Sequence, residues 1–114
     1  MRARGLLVLI ACAALVLAPG AATAPAQAVH LNGTVGPGFT ISMAKKPTKA
    51  GKYTLVVADK SSFHNFHLIG PGVNVKTSVA TKGTKAFTIK LAKGKYRFFC
   101  DPHATTMKGS FTIK

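Results

Sequence analysis

Tyr96-Arg97-Phe98-Phe99-Cys100-Asp101-Pro102-His103-Ala104-Thr105-Thr106-Met107-Lys108-Gly109 holds two patterns in succession. Tyr96, Phe98 and Cys100 alternate with Arg97 and Phe99, the period-two signature of a half-buried strand. The alternation stops at Asp101-Pro102, because proline has no N–H to give to a ladder. A short loop comes next, with the spacing Cys-x2-His-x3-Met, and Phe111 and Ile113 then resume the alternation in a last strand. A thiolate, an imidazole and a thioether on one tight loop form a soft ligand set that suits copper. Two imidazoles and a thiolate in a plane, with a long axial thioether, make the blue-copper electron-transfer geometry. The loop lacks one member of that set, a second histidine.

Ser61-Ser62-Phe63-His64-Asn65-Phe66-His67-Leu68 offers two. Read as a strand, it puts His64, Phe66 and Leu68 on one face and Asn65, His67 and Ile69 on the other. The first face is the more apolar, so His64 is expected to point to the core and His67 outward, with His64 the favoured ligand. His67 and His30 are assigned to polar strand faces without a special role, and Asp101 to the loop.

The same alternation recurs along the chain, in Leu31/Gly33/Val35, Phe39/Ile41/Met43 and Phe87/Ile89/Leu91. Turn signals such as Gly36-Pro37-Gly38, Lys49-Ala50-Gly51, Gly70-Pro71-Gly72, Lys82-Gly83 and Lys93-Gly94-Lys95 separate these runs. The spacing predicts seven or eight strands, over 29–35, 39–44, 52–58, 63–69, 76–80, 84–91, 95–100 and 109–113. The fold class is all-β, a small sandwich.

Residues 1–28 read as a secretory signal and are excluded from the fold. Arg2 and Arg4 precede an apolar run from Leu6 to Ala18, Pro19-Gly20 breaks it, and Ala26-Gln27-Ala28 supplies a cleavage motif before Val29. The run is shorter than the roughly 20 residues of a membrane span. Cys12 loosely matches a lipoprotein processing site, but the apolar stretch continues past it where a lipid-bearing cysteine would have a polar tether. The expected product is residues 29–114, a soluble extracytoplasmic domain in the periplasm or outside the cell. It keeps one cysteine, Cys100, an odd thiol open to oxidation unless something occupies it.

The 114 residues are 47% hydrophobic and 16% charged, which fits a folded core and excludes a disordered chain. There are 16 Lys and Arg against 2 acidic residues, a formal charge of +14, and the two leader arginines take two of these to leave +12. Such a charge favours anionic partners: an acidic redox protein, with an anionic cell envelope as a weaker contact. The lysines are spread rather than blocked and the aromatics fall on core positions, which argues against nucleic-acid binding as the main role.

The chain resembles the cupredoxins, the type-1 blue-copper family of plastocyanin, amicyanin and pseudoazurin. The matching residues are His64-Asn65, Tyr96-Arg97-Phe98-Phe99-Cys100-Asp101-Pro102-His103 and Met107-Lys108-Gly109. The resemblance implies a Greek-key sandwich and one copper ion, cycling between Cu(I) and Cu(II), held by His64, Cys100, His103 and Met107. It also implies that Asn65 ties the His64 segment to the cysteine loop, and that an apolar docking patch surrounds the His103 edge at one pole. Gly36–Phe39 and Ala104-Thr105 would lie at that pole, with 45–52 and 92–95 opposite, and Phe99 would offer a second electron route. The His103–Met107 spacing is one residue shorter than in plastocyanin-like loops and one longer than in amicyanin-like loops.

Zinc is the rival metal, disfavoured because a thioether is a poor zinc ligand. Met107 as core packing and Cys100 as an inert buried thiol are the plainer readings of those residues. A Cys100/His103 nucleophile lacks an oxyanion hole and room for a cleft, so the chain is not read as an enzyme. The expected function is a monomeric carrier of single electrons between redox partners. The alternative is copper sequestration or delivery through the same ligands.

Overall fold

The alternating stretches form eight strands: β1 (Val29–Val35), β2 (Ile41–Ala44), β3 (Gly51–Asp59), β4 (His67–Gly70), β5 (Val73–Lys76), β6 (Gly83–Leu91), β7 (Gly94–Phe99) and β8 (Lys108–Ile113). They come from a computed structural model that describes Gly20 and residues 28–114. Apart from Gly20, the signal segment up to residue 27, with Cys12 and most of the cleavage motif, lies outside the described residues. Among the described residues the helical content is a single 3-10 turn, Asp101–His103.

The strands make two four-stranded sheets, ordered β2-β1-β3-β6 and β5-β4-β7-β8. β1 runs parallel to β3, with Leu31 beside Leu55 and Val35 beside Asp59, and the other pairs are antiparallel. The fold is thus the expected all-β sandwich. Side chains of one parity from each sheet meet between them: Leu31, Val35, Leu55 and Val57 from the first, Leu68, Tyr96, Phe98 and Ile113 from the second, all buried. Two ring stacks join elements in this core, Phe66 on Phe98 at 5.4 Å and Tyr96 on Phe111 at 5.2 Å. The buried Tyr96 hydroxyl donates to Pro71 O and accepts from Ala92 N–H, both at 2.9 Å, so its polar end is satisfied. Gly109 has a packing reason: a Cβ there would overlap the Phe98 ring.

Three expectations are corrected. The strand read over 63–69 begins only at His67, and that over 76–80 is replaced by Val73–Lys76. The cause is Thr77, where the ladder ends: its N–H still donates to Phe66 O at 3.0 Å, but its hydroxyl, not its carbonyl, accepts from Phe66 N–H at 2.9 Å. Phe39 does not share the buried face of Ile41 and Met43. It precedes β2, is 72% exposed and lies at the pole where β7 ends. A tight turn puts it there: Gly36 has φ of 70° and its N–H donates to Thr40 O at 2.8 Å. Any side chain at Gly36 would also press on Ser61 Cβ at 2.8 Å.

Candidate metal centre

Cys100 comes directly after the last residue of β7, and the loop beyond it closes on itself. Cys100 N–H donates to Met107 O at 3.0 Å, and Cys100 O accepts from His103 N–H at 3.0 Å. His103 O accepts from Met107 N–H at 2.8 Å and from Thr106 N–H at 3.1 Å. Pro102 sits in the first turn of the 3-10 helix, where its missing N–H costs nothing. The self-bonded loop therefore carries Cys100 and His103 on one side and returns the buried Met107 to the start of β8.

His64 arrives from the other side, in the irregular segment before β4, and is buried. Strand alternation does not set its direction, since 63–66 is not strand; the segment is held instead by Thr77 and by Asn65. Asn65 N–H points at Cys100 Sγ, 3.5 Å away. The Asn65 carboxamide accepts from Asp101 N–H at 2.7 Å and donates to Asp101 Oδ2 at 2.7 Å and to Thr77 O at 3.2 Å. Asn65 thus bridges the two chain segments, as the resemblance implied.

Three donor atoms converge. His64 Nδ1 and His103 Nδ1 are 3.1 Å apart, and Cys100 Sγ is 3.7 Å from the first and 3.6 Å from the second. These are the His, Cys, Asp or Glu side chains that cluster with metal-ligand spacing among the described residues. A triangle with these sides has a centre about 2.0 Å from every corner, the length of a first-row metal–imidazole bond. Two ring nitrogens this close, with a thiol sulfur beside them, set three lone pairs against one another unless a cation or proton lies between. The donor set fits a metal on distance and on chemistry, and two imidazoles with a thiolate fit copper.

The pole is apolar outside. The Phe39 ring packs edge-on against both imidazoles, 5.0 Å from His64 and 5.1 Å from His103. Phe63, next to His64, is 74% exposed, while His103 is half-buried at the surface.

His67, read from the sequence as a polar strand residue, and Asp101, read as a loop residue, meet in the structure. His67 Nδ1 donates to Asp101 Oδ1 at 2.7 Å, and His67 Nε2 lies 2.7 Å from the Asn74 side-chain oxygen. Burial alone would raise the Asp101 carboxyl, but hydrogen bonds from His67 and Asn65 and the charges of His67 and Lys76 outweigh it, leaving the group below its ordinary value. The available signal was the scarcity of acid: Asp101 is one of only 2 acidic residues.

The family model for copper-binding proteins of the plastocyanin/azurin type matches residues 27–114. Among solved structures, reduced rusticyanin, determined by NMR, is similar with a TM-score of 0.54 and 19% identity, covering 75% of this chain and 76% of that one. At that identity the likeness speaks for the fold. No curated protein matches the chain. The chain belongs to the plastocyanin/azurin family of copper-binding proteins, and its cofactor is copper.

Proposed function

We propose that this cupredoxin is an exported carrier of single electrons between redox proteins, with copper held by His64, Cys100, His103 and Met107. The observation that carries the reading is the triangle of His64 Nδ1, His103 Nδ1 and Cys100 Sγ, already spaced for one ion in a wall of buried side chains. Copper supplies a one-electron couple at that point. The chain's part is to keep the donors from moving when the charge changes. β7 anchors Cys100, the loop bonds its own backbone between Cys100 and Met107, and Asn65 directs an N–H at the sulfur. Ligation through Nδ1 leaves the proton of each imidazole on Nε2. The half-buried His103 ring, with the exposed Phe39 and Phe63 nearby, gives a partner an apolar place to approach and exclude water.

The reading includes cleavage after residue 28 and a partner with an acidic surface. Support for the second comes from the cations exposed on one face of the sandwich. The outer face of the β5-β4-β7-β8 sheet carries Lys76, Lys95, Arg97 and Lys108, all exposed, and a groove of about 300 Å³ runs between Lys95, Arg97, Lys108 and Ser110. The outer face of β3 and β6 carries mainly Thr, Ala and Val, with the pair Lys52 and Lys90. No helix among the described residues is long and apolar enough to cross a membrane.

The deciding experiment is the absorption spectrum of residues 29–114 loaded with Cu(II). An intense thiolate-to-copper band is expected, and Cys100→Ser should abolish it because a hydroxyl is a poor substitute for a thiolate. A colourless loaded protein, or a Ser variant that keeps the band, would overturn the ligand set.

A further inference from the structure

The chain has 2 acidic residues, Asp59 and Asp101, and one hydrogen-bonded network holds both. Buried Asp59 accepts from Ser61 N–H at 3.1 Å and from the Thr77 hydroxyl at 3.0 Å. Thr77 O accepts from the Asn65 amide at 3.2 Å, and Asn65 meets Asp101 through two bonds of 2.7 Å. Asp101 then reaches His67, and His67 reaches Asn74. The network begins in the core at the end of β3, runs through Asn65, whose N–H points at Cys100 Sγ, and ends on the outer face of the second sheet.

We propose that His67 and Asp101 act as a positioning clamp on the copper loop, in which His67, fixed on the sheet, holds the Asp101 carboxylate against Asn65 and so sets Cys100 relative to the metal. The clamp rests on the ligand set proposed above. An exposed ion pair is ordinarily worth little, because two mobile side chains must be ordered to make it. Here each partner is held by further bonds. The His67 side chain is 14% exposed, both its ring nitrogens are engaged, and its ring lies 4.9 Å from that of Phe99. The Asn74 carboxamide can turn either its oxygen or its NH2 to Nε2, so it holds the ring in either protonation state. Both Asp101 oxygens and its backbone N–H are also bonded, each at 2.7 Å.

The clamp carries charge as well as position. Asp101 is the residue after Cys100, so its carboxylate favours the more highly charged Cu(II), and the hydrogen bond from His67 draws off part of that negative charge. Removing each partner therefore has opposite effects. Asp101→Asn should raise the reduction potential, and His67→Ala should lower it. His67→Gln, which keeps an amide donor, should return the potential toward wild type. A loop loosened in the same way by both substitutions would shift the potential in one direction.

A second measurement needs no metal. In the copper-free domain the Asp101 amide, which donates to Asn65, should exchange its hydrogen on the order of tenfold faster in His67→Ala, while the Leu55 amide in β3 stays at its wild-type rate. Shifts of the same sign in Asp101→Asn and His67→Ala, no shift in either, or an unchanged Asp101 exchange rate would overturn the clamp. If the wild-type protein takes up no copper, the ligand assignment fails while the exchange comparison still decides the clamp.

Discussion

Asn65→Ala removes the side chain that joins the two halves of the copper site, and its cost can be worked bond by bond. The carboxamide donates to Thr77 O and to Asp101 Oδ2 and accepts from Asp101 N–H. A neutral hydrogen bond contributes about 1 kcal/mol net, and one to a charged group about 1.5–3 kcal/mol. Asp101 is 37% exposed, so water recovers part of the loss there; Thr77 is 5% exposed, and its carbonyl is left without a partner. Together these give about 3 kcal/mol. A domain of this size has roughly 4–13 kcal/mol in all, from about 0.05–0.15 kcal/mol per residue. With a urea dependence of about 1 kcal/mol/M for a small protein, the midpoint of the copper-free variant should fall by about 3 M. The assay is urea unfolding of the copper-free domain, tracked by tyrosine fluorescence and by circular dichroism. A fall below about 0.5 M at unchanged slope would refute the reasoning, because it would mean these bonds give no more than their exchange with water.

Four further outcomes are expected. Met107→Leu should keep the thiolate band and raise the reduction potential in cyclic voltammetry, whereas Met107→Gln should lower it, because loss of a weak axial donor favours Cu(I) and a harder donor favours Cu(II). Gly109→Ala drives a Cβ into the Phe98 ring and should destabilise the copper-free domain by about 1–3 kcal/mol in urea titration. The folded Asp101 carboxyl lies below its ordinary value of 3.8, so its contribution is complete above that value and is lost as pH falls through the lowered one; the copper-free wild type should exceed Asp101→Asn in stability at neutral pH, with the gap closing on strong acidification. Oxidation by the hexacyanoferrate(III) anion should slow as salt rises, since exposed charges are screened beyond about 10 Å at 0.1 M, and charge reversal at Arg97 and Lys108 should flatten that dependence.

The sandwich was legible because nearly every strand shows one apolar face, and the alternation at Tyr96, Phe98 and Cys100 reappears directly as burial. Where a side chain replaces a ladder bond, that pattern misleads. Phe66 is as apolar as a strand residue, yet its N–H goes to the Thr77 hydroxyl, and nothing in the spacing of 63–69 announces it. The loop residues of the site were legible through chemistry, since Cys, His and Met together on one short loop form a soft donor set. His67 and Asp101 were not, because they lie 34 positions apart and their meeting depends on the register that sets His67 opposite Phe99. Phe39 was misplaced for a related reason: the Gly36 turn takes it out of the alternation that Ile41 and Met43 keep.

The arrangement of these supports bears on whether the site moves electrons or hands on copper. A carrier works best when the donors hold one geometry in both oxidation states, whereas a delivery protein needs a ligand that leaves readily. Each donor is fixed by bonds that do not involve the metal: Cys100 by β7 and by Met107 O, His103 by Cys100 O, and the segment of His64 by Asn65 and Thr77. His103 is the most exposed of the three; its ring turns on its own side-chain bonds, but its N–H and its carbonyl are both spent within the loop, so the backbone that carries it is held together with Met107. The ligand that a copper acceptor would meet first therefore stands on a backbone bonded to the rest of the site. A backbone braced in this way holds the donors near one geometry whatever the charge of the ion, which is what the proposed electron carrier requires.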